Sequence, residues 1–413
     1  MRQLGSLPLQ SRAVDIATST TSVRDSRRAA VEAYETLVAR LAGPPSLLIV
    51  FPTVGHDIPV VAAALRELAG DVPMHGATTC QGVMSEAGFV GDAGVGLGLL
   101  GIRDDDGDYG VAARTIGDDP RGAGRAVIAA AIAAAGRDGE PPALVWLAAD
   151  PGFEEAVIAG IQDVLGPDVP IAGGSAADND VAGHWQEIAN GDALRGAVVV
   201  TAMYPSSSIH VAFHSGYSPS DRSGVATRVD GRTLHEIDGR PAAEVYDEWT
   251  GGVIADVLGR GGNVLRSTTL HPLGRVAGEY GGLPFHRLSH PDSVTADGAL
   301  TLFTEIDEGE RLIQMVGTRE SLVSRAGRVA RAAMRAGNLE ASDLAGALVV
   351  YCAGCMLTIQ SEIGDVASEV ARELGAKPFL GTFTFGEQGC FVNRRSHHGN
   401  LMISVVVFRH GER

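Results

Sequence analysis

Apolar and polar residues alternate along this chain in one recurring order. An apolar strand is followed by a polar loop, a helix with one apolar stripe, a Pro-x-x-Gly turn, a Thr/Ser-rich loop and a closing apolar strand. The order occurs three times, with turns at Pro73-Met74-His75-Gly76, Pro170-Ile171-Ala172-Gly173 and Pro378-Phe379-Leu380-Gly381. Opening strands are predicted at 47–51, 143–148 and 347–352, and closing strands at 95–100, 197–202 and 401–408. Between them, Ile58, Val61, Ala62, Leu65 and Leu68 recur at helical spacing. So do Val157, Ile158, Ile161 and Leu165, and Ile363, Val366, Ala367, Val370 and Leu374. A self-similar unit of roughly 60 residues marks duplicated β-loop-α-β-loop-β architecture. It also sets polar, glycine-flanked loops at equivalent corners, where binding sites concentrate.

Outside the repeats the pattern changes. Residues 1–24 read as an irregular segment, after which Asp25 or Ser26 caps a helix with Ala29, Ala30, Ala33, Leu37 and Leu41 on one side. Between copies two and three, Asp230-Gly231 and Asp297-Gly298 predict hairpins. Asp238-Gly239-Arg240-Pro241 starts a short helix, and a stripe of Leu322, Ala326, Val329 and Ala333 leads into the third copy. The predicted fold is α/β: two packed domains of duplicated β-loop-α-β units, with mixed sheets flanked by helices. The boundary falls near Asp238-Gly239, giving domains 25–238 and 239–413.

Composition narrows the function. The chain has 413 residues, 45% apolar and 20% charged, as in a globular protein with real cores. A net charge of −17 without a Lys/Arg block excludes nucleic acid as a partner. No signal-peptide layout opens the chain, and no apolar run approaches the ~18 residues of a membrane span. Four cysteines in such a chain imply reduced thiols and a cytoplasmic location. No P-loop or G-x-S-x-G string occurs, and Asp178-Asn179-Asp180 lacks the rest of a calcium loop.

Candidate chemistry gathers after the repeat turns. Thr78, Thr79, Ser175, Asp178, Thr382, Thr384 and Glu387 place hydroxyls and carboxylates where they would orient a small polar ligand. The competing reading is that they cap turns and satisfy local backbone groups. Cys352 and Cys355 form a lone C-x-x-C, which is either packed, redox-active or half of a zinc site completed by Cys390, His397 and His398. Cys80 follows the first turn without a local base and reads as packing.

At these residues the chain resembles the FIST sensory module, a paired N- and C-terminal domain of bacterial signal transduction. Gly76-Ala77-Thr78-Thr79-Cys80 stands where the family has a Gly-Cys-Ser-Thr-Ala-Gly-Glu turn, and 172–178 is similar to its second signature. Residues 237–242, His271-Pro272-Leu273-Gly274 and 381–387 follow in the family's order, so the likeness covers nearly everything from about residue 25 onwards. Two departures stand out: Gln81-Gly82 replaces a Gly-Glu pair, and Cys355 replaces the arginine of a Cys-x-Gly-Arg loop. The resemblance implies a small-molecule sensor without a cofactor, its ligand of the amino-acid-like class proposed for the family and held near the domain junction by the turn residues together with Cys80, Cys352 and Cys355. Signalling would pass to a separate protein by closure of the two halves. The missing arginine removes the natural carboxylate clamp for such a ligand. Two alternatives stay open: a noncovalent haem sensor of nitric oxide with His271, His286 or His290 as axial ligand, and a thiol-dependent enzyme.

Overall fold

The computed structural model describes residues 14–280, 282–391 and 393–411. The first unit comprises β1 (Asp15–Thr21), α1 (Ser26–Leu41), β2 (Leu47–Pro52), α2 (Ile58–Ala69), β3 (Met74–Ala77), the hairpin β4 (Val83–Ser85) and β5 (Gly88–Val90), and β6 (Leu97–Arg103). The second repeats that order: β7 (Asp108–Thr115), α3 (Pro120–Ala134), β8 (Leu144–Ala149), α4 (Glu154–Leu165), β9 (Ile171–Ser175), β10 (Glu187–Ala189), β11 (Asp192–Leu194) and β12 (Ala197–Tyr204). The third opens with β13 (Ile209–Ser215) and is interrupted by an inserted sheet. That insert holds β14 (Ser218–Asp230), β15 (Thr233–Ile237), β16 (Arg240–Pro241), α5 (Ala242–Thr250), β17 (Gly262–Asn263), α6 (Leu265–Thr268), β18 (Leu273–Tyr280), β19 (Leu283–Ser289), β20 (Pro291–Val294), β21 (Leu300–Leu302) and β22 (Arg311–Val316). The unit resumes with α7 (Arg319–Ala336), β23 (Leu344–Cys352), α8 (Ala353–Thr358), α9 (Ile363–Glu373), β24 (Phe379–Thr384), β25 (Glu387–Cys390), β26 (Ser396–Gly399) and β27 (Met402–Arg409).

The expected irregular segment 1–24 therefore carries a strand. Asp15–Thr21 pairs antiparallel along the whole of β6. Its Ser/Thr-rich sequence hides it, because threonine suits a pleated surface without adding apolar signal. Residues 1–13 lie outside the described ones.

The repeat turn has a physical cause. In each unit the turn proline's carbonyl accepts the first bond of the parallel pair, from Leu48 to Pro73, Val145 to Pro170 and Ala347 to Pro378, all at 3.0 Å. In the first two units the glycine three residues on lies against the opening strand. A Cβ on Gly76 would sit 2.3 Å from the Val50 carbonyl oxygen, and one on Gly173 would sit 1.9 Å from that of Leu147. Only glycine permits that approach.

The opening strands are continuous apolar runs because both their faces are buried. On one face Leu47, Ile49 and Phe51 of β2 join Leu144, Trp146 and Ala148 of β8 and Leu348 and Val350 of β23 in a shared core. On the other face β2 packs on α1 and α2, and β8 on α3 and α4. Ala347, Val349 and Tyr351 of β23 face the residues of α7 and α9.

Each unit lends its hairpin to a neighbour. The β4–β5 hairpin pairs with β24, β10–β11 with β3, and β25–β26 with β9. The exchange closes in a ring, so every parallel pair has its outer edge covered by the next unit's hairpin. The inserted sheet is a separate layer of nine strands with its own core beneath α5. Among the described residues no helix is long and apolar enough to cross a membrane.

Candidate functional site

The three corners that follow the turns meet, and they bond mainly to one another. Cys80 N–H donates to the Phe383 carbonyl at 3.0 Å, and Phe383 N–H donates back to the Thr79 hydroxyl at 2.9 Å. Ala177 N–H reaches the Thr78 carbonyl at 2.9 Å, and Ser175 N–H the Gly386 carbonyl at 2.8 Å. Thr79, Ser175 and Thr384 therefore come from a common junction, but they do not line one hollow. The Thr78 hydroxyl accepts from Gln186 N–H, and the Ser175 hydroxyl donates to Glu154. The Asp178 carboxylate holds the following loop through the N–H groups of Val181, Ala182 and His184. Thr382 is buried along β24, opposite Val350. Burial, then the charges of Asp178 and Asp180, push the Cys80 thiol up to about 12. These residues knit the units together.

Thr384 and Cys352 differ, because they line a cavity of about 90 Å³. The body contributes Pro151, Val181, Trp185, Gly354, Leu357, Phe385, Gly386 and Asn400, and the inserted sheet closes it with Leu265, His290 and Phe303. The walls are almost wholly apolar, and Trp185 meets Phe385 edge-on at 5.8 Å. Polar function is confined to a few groups. The Thr384 hydroxyl donates to Glu387 at 2.9 Å, and the other Glu387 oxygen accepts from Met402 N–H at 2.9 Å. Burial holds the Glu387 carboxyl well above its ordinary range. Burial likewise lowers His290 to about 4, and its Nε2 donates to the Leu265 carbonyl at 3.1 Å. His290, Asn400, Trp185 and Phe303 carry no motif. Only the packing of the inserted sheet against the body brings them here.

Behind Cys352 lies a second group that the sequence shows only in pieces. Arg325 of α7 is fully buried, its guanidinium carbon 5.2 Å from the centre of the Tyr217 ring and 5.5 Å from that of Tyr351. Tyr217 Oη stands 3.5 Å from Cys355 Sγ and donates to the Thr269 carbonyl at 2.8 Å. A third buried cluster joins the halves elsewhere. Arg232 Nη2 reaches Glu154 and Glu155, each at 2.7 Å, with His398 4.0 Å from Glu154.

Metal and haem were tested against these groups. Two clusters of potential ligands occur among the described residues, Glu154 with Glu155 and His398, and Asp178 with Asp180 and His184. In the first both carboxylates already pair with Arg232, and in the second Asp178 is committed to backbone N–H groups. Neither contains a cysteine, so Cys352, Cys355, Cys390, His397 and His398 do not assemble into the zinc site the spacing allowed. For haem, His271 and His286 lie off the cavity, and His290 commits Nε2 to a carbonyl. A cavity of about 90 Å³ is also well below the ~300–1,000 Å³ of pockets for drug-sized ligands. A porphyrin does not fit this geometry.

The architecture is that of a paired-domain sensory protein. Residues 46–240 match the FIST N domain and 242–390 the FIST C domain. The chain belongs to the FIST family, whose domains bind small ligands in signal transduction. An uncharacterised protein of Methanocaldococcus jannaschii is 31% identical over 90 residues, 21% of this chain and 18% of that protein. The chain thus matches under a fifth of that relative's length. Among solved structures, cyanuric acid hydrolase from A. caulinodans aligns over 96% of this chain and 99% of its own, at 11% identity and a TM-score of 0.37. PurL of T. maritima aligns over 96% and 72%, at 8% identity and a TM-score of 0.23. Neither likeness is close enough to carry an argument.

Proposed function

We propose that this protein is a receptor for a small, uncharged molecule, held in the cavity between the three-unit body and the inserted sheet. The observation that carries this reading is the lining: apolar and aromatic walls, a few polar groups, and no lysine or arginine. The amino-acid-like ligand expected from the family is disfavoured here, because a carboxylate buried in such a site would have no cation to pair with. The size, about 90 Å³, suits a ligand smaller than the drug-sized molecules that fill pockets of ~300–1,000 Å³.

In this reading the chain acts without turnover, in the cytoplasm, and passes its signal to a separate protein. Closure of two independent halves is a poor mechanism, because exchanged hairpins tie the halves by backbone ladders. A shift of the inserted sheet is the cheaper movement. That sheet supplies Leu265, His290 and Phe303, and ligand contacts that differ between two of its positions would bias them.

Thermal unfolding in the presence of small alcohols, ketones and amides, with free amino acids for comparison, tests the reading. A true ligand at ~100 times its Kd stabilises by about 2.7 kcal/mol. Gly354 lines the cavity, and an added Cβ there meets only ordinary 3.7 Å contacts, so Gly354→Val is the substitution that fills the space. The uncharged ligand should lose its effect on that variant. Stabilisation by amino acids alone, or an unchanged response in Gly354→Val, would overturn the proposal.

A further inference from the structure

Arg325 poses a physical problem that the receptor reading leaves unanswered. Its guanidinium is buried, yet its Nε and Nη1 have no hydrogen-bond partner, and Nη2 donates only to the Leu401 carbonyl at 2.6 Å. A buried cation without an anion is strongly unfavourable. The groups near enough to balance it are Cys355, Tyr351, Tyr217 and Cys352, with Glu387 more weakly coupled. Burial pushes both tyrosines, Cys352 and Glu387 well above their ordinary values, against carrying charge. Cys355 remains. Burial alone would raise it too, but the hydrogen bond from Cys352 and the Arg325 charge outweigh that and bring it below its ordinary value.

We infer that Cys352 and Cys355 form a peroxide-responsive dithiol, in which a Cys355 thiolate paired with Arg325 backs a cavity-facing Cys352. This goes beyond the receptor reading and uses the cavity only as a route for a small hydroperoxide. The Cys355 thiolate attacks the terminal peroxide oxygen. The O–O bond breaks, leaving a sulfenic acid on Cys355 and an alkoxide or hydroxide that takes the proton of Cys352. The Cys352 thiolate then attacks the Cys355 sulfur, the S–S bond forms, and the departing hydroxide takes a proton from solvent. Two sulfurs are oxidised, and one peroxide is reduced to alcohol (or water) plus water.

The location gives the reaction a consequence. The inserted sheet joins the body at two crossings, through Gly216-Tyr217 before β14 and Gly317 after β22. A Cβ on Gly216 would meet Arg325 Cδ at 2.4 Å, and one on Gly317 would meet the Tyr217 ring at 2.4 Å. Arg325 and Tyr217 thus sit beneath both crossings. Disulfide formation removes the thiolate and leaves the guanidinium without its anion at that hinge, which favours movement of the sheet.

The full-length reduced protein, treated with hydrogen peroxide, acid-quenched, alkylated and mapped by mass spectrometry, tests this. A Cys352–Cys355 disulfide is expected. Its rate near pH 7 should fall on the order of tenfold in Arg325→Met, as Cys355 returns towards an ordinary thiol, and recover in Arg325→Lys. Should these variants fail to fold, the ultraviolet thiolate absorbance of the wild type decides. It should persist below pH 8 and vanish in Cys355→Ser. Absence of that absorbance, or two cysteines that stay alkylatable after peroxide, would refute the dithiol. Neither result bears on noncovalent ligand binding, which Cys355→Ser, outside the cavity lining, should retain.

Discussion

Glu187 shows how a single residue reports the fold. It stands on β10, opposite Ala77 of β3, and neither carboxyl oxygen has a hydrogen-bond partner. Burial, reinforced by Asp150, holds it well above its ordinary range. The folded state therefore keeps a proton that the unfolded chain releases near pH 4.3. That contribution is complete below the unfolded value and is lost as pH rises towards the folded one. Glu187→Met removes both the unpartnered oxygens and the titration. It should stabilise the protein more at pH 8 than at pH 4, by at least about 1.4 kcal/mol, the worth of one pKa unit. Denaturant melts of both proteins at the two pH values measure this. Equal differences would mean that Glu187 titrates normally. At the same scale, the turn glycines were legible because their constraint is local. Arg325 was not, since nothing in its helical context announces that Tyr217 and Cys355 lie beside it.

Among the elements, the opening strands and flanking helices followed from apolar runs and helical stripes. The destination of each hairpin did not. Val83–Ser85, Glu187–Ala189 and Glu387–Cys390 are three or four residues long, too short to show a period, and each pairs with another unit. The two predicted hairpins at Asp230-Gly231 and Asp297-Gly298 are present, yet their merger into one inserted sheet rests on distant pairings such as β15 with β21. The candidate site was legible to the same degree. Thr384 and Cys352 were found from their position after repeat elements, whereas the wall made by the insert carries no signature. The exchange has a testable cost. Chains 14–206 and 207–413, cut between β12 and β13 and expressed separately, each lack a hairpin that the other supplies. Neither should unfold cooperatively, and mixing should restore a single transition with native hydrogen-exchange protection. A cooperative transition in either piece alone would show that the hairpins are not integral to it.

At the scale of the whole molecule, the body is tied into a ring and the inserted sheet is joined to it by two crossings. Cys352 lines the cavity, Cys355 lies beside Tyr217, and Tyr217 stands at one of those crossings. Hydrogen exchange with and without a saturating small uncharged ligand from the thermal screen is the most direct test. Protection should rise at Leu265–Thr268, around Phe303 and at Phe385-Gly386, with altered exchange at 216–218 and 317 and little change in the exchanged hairpins. Protection confined to sites away from the cavity, or a broad change in the hairpin ladders, would contradict a receptor that signals through its inserted sheet.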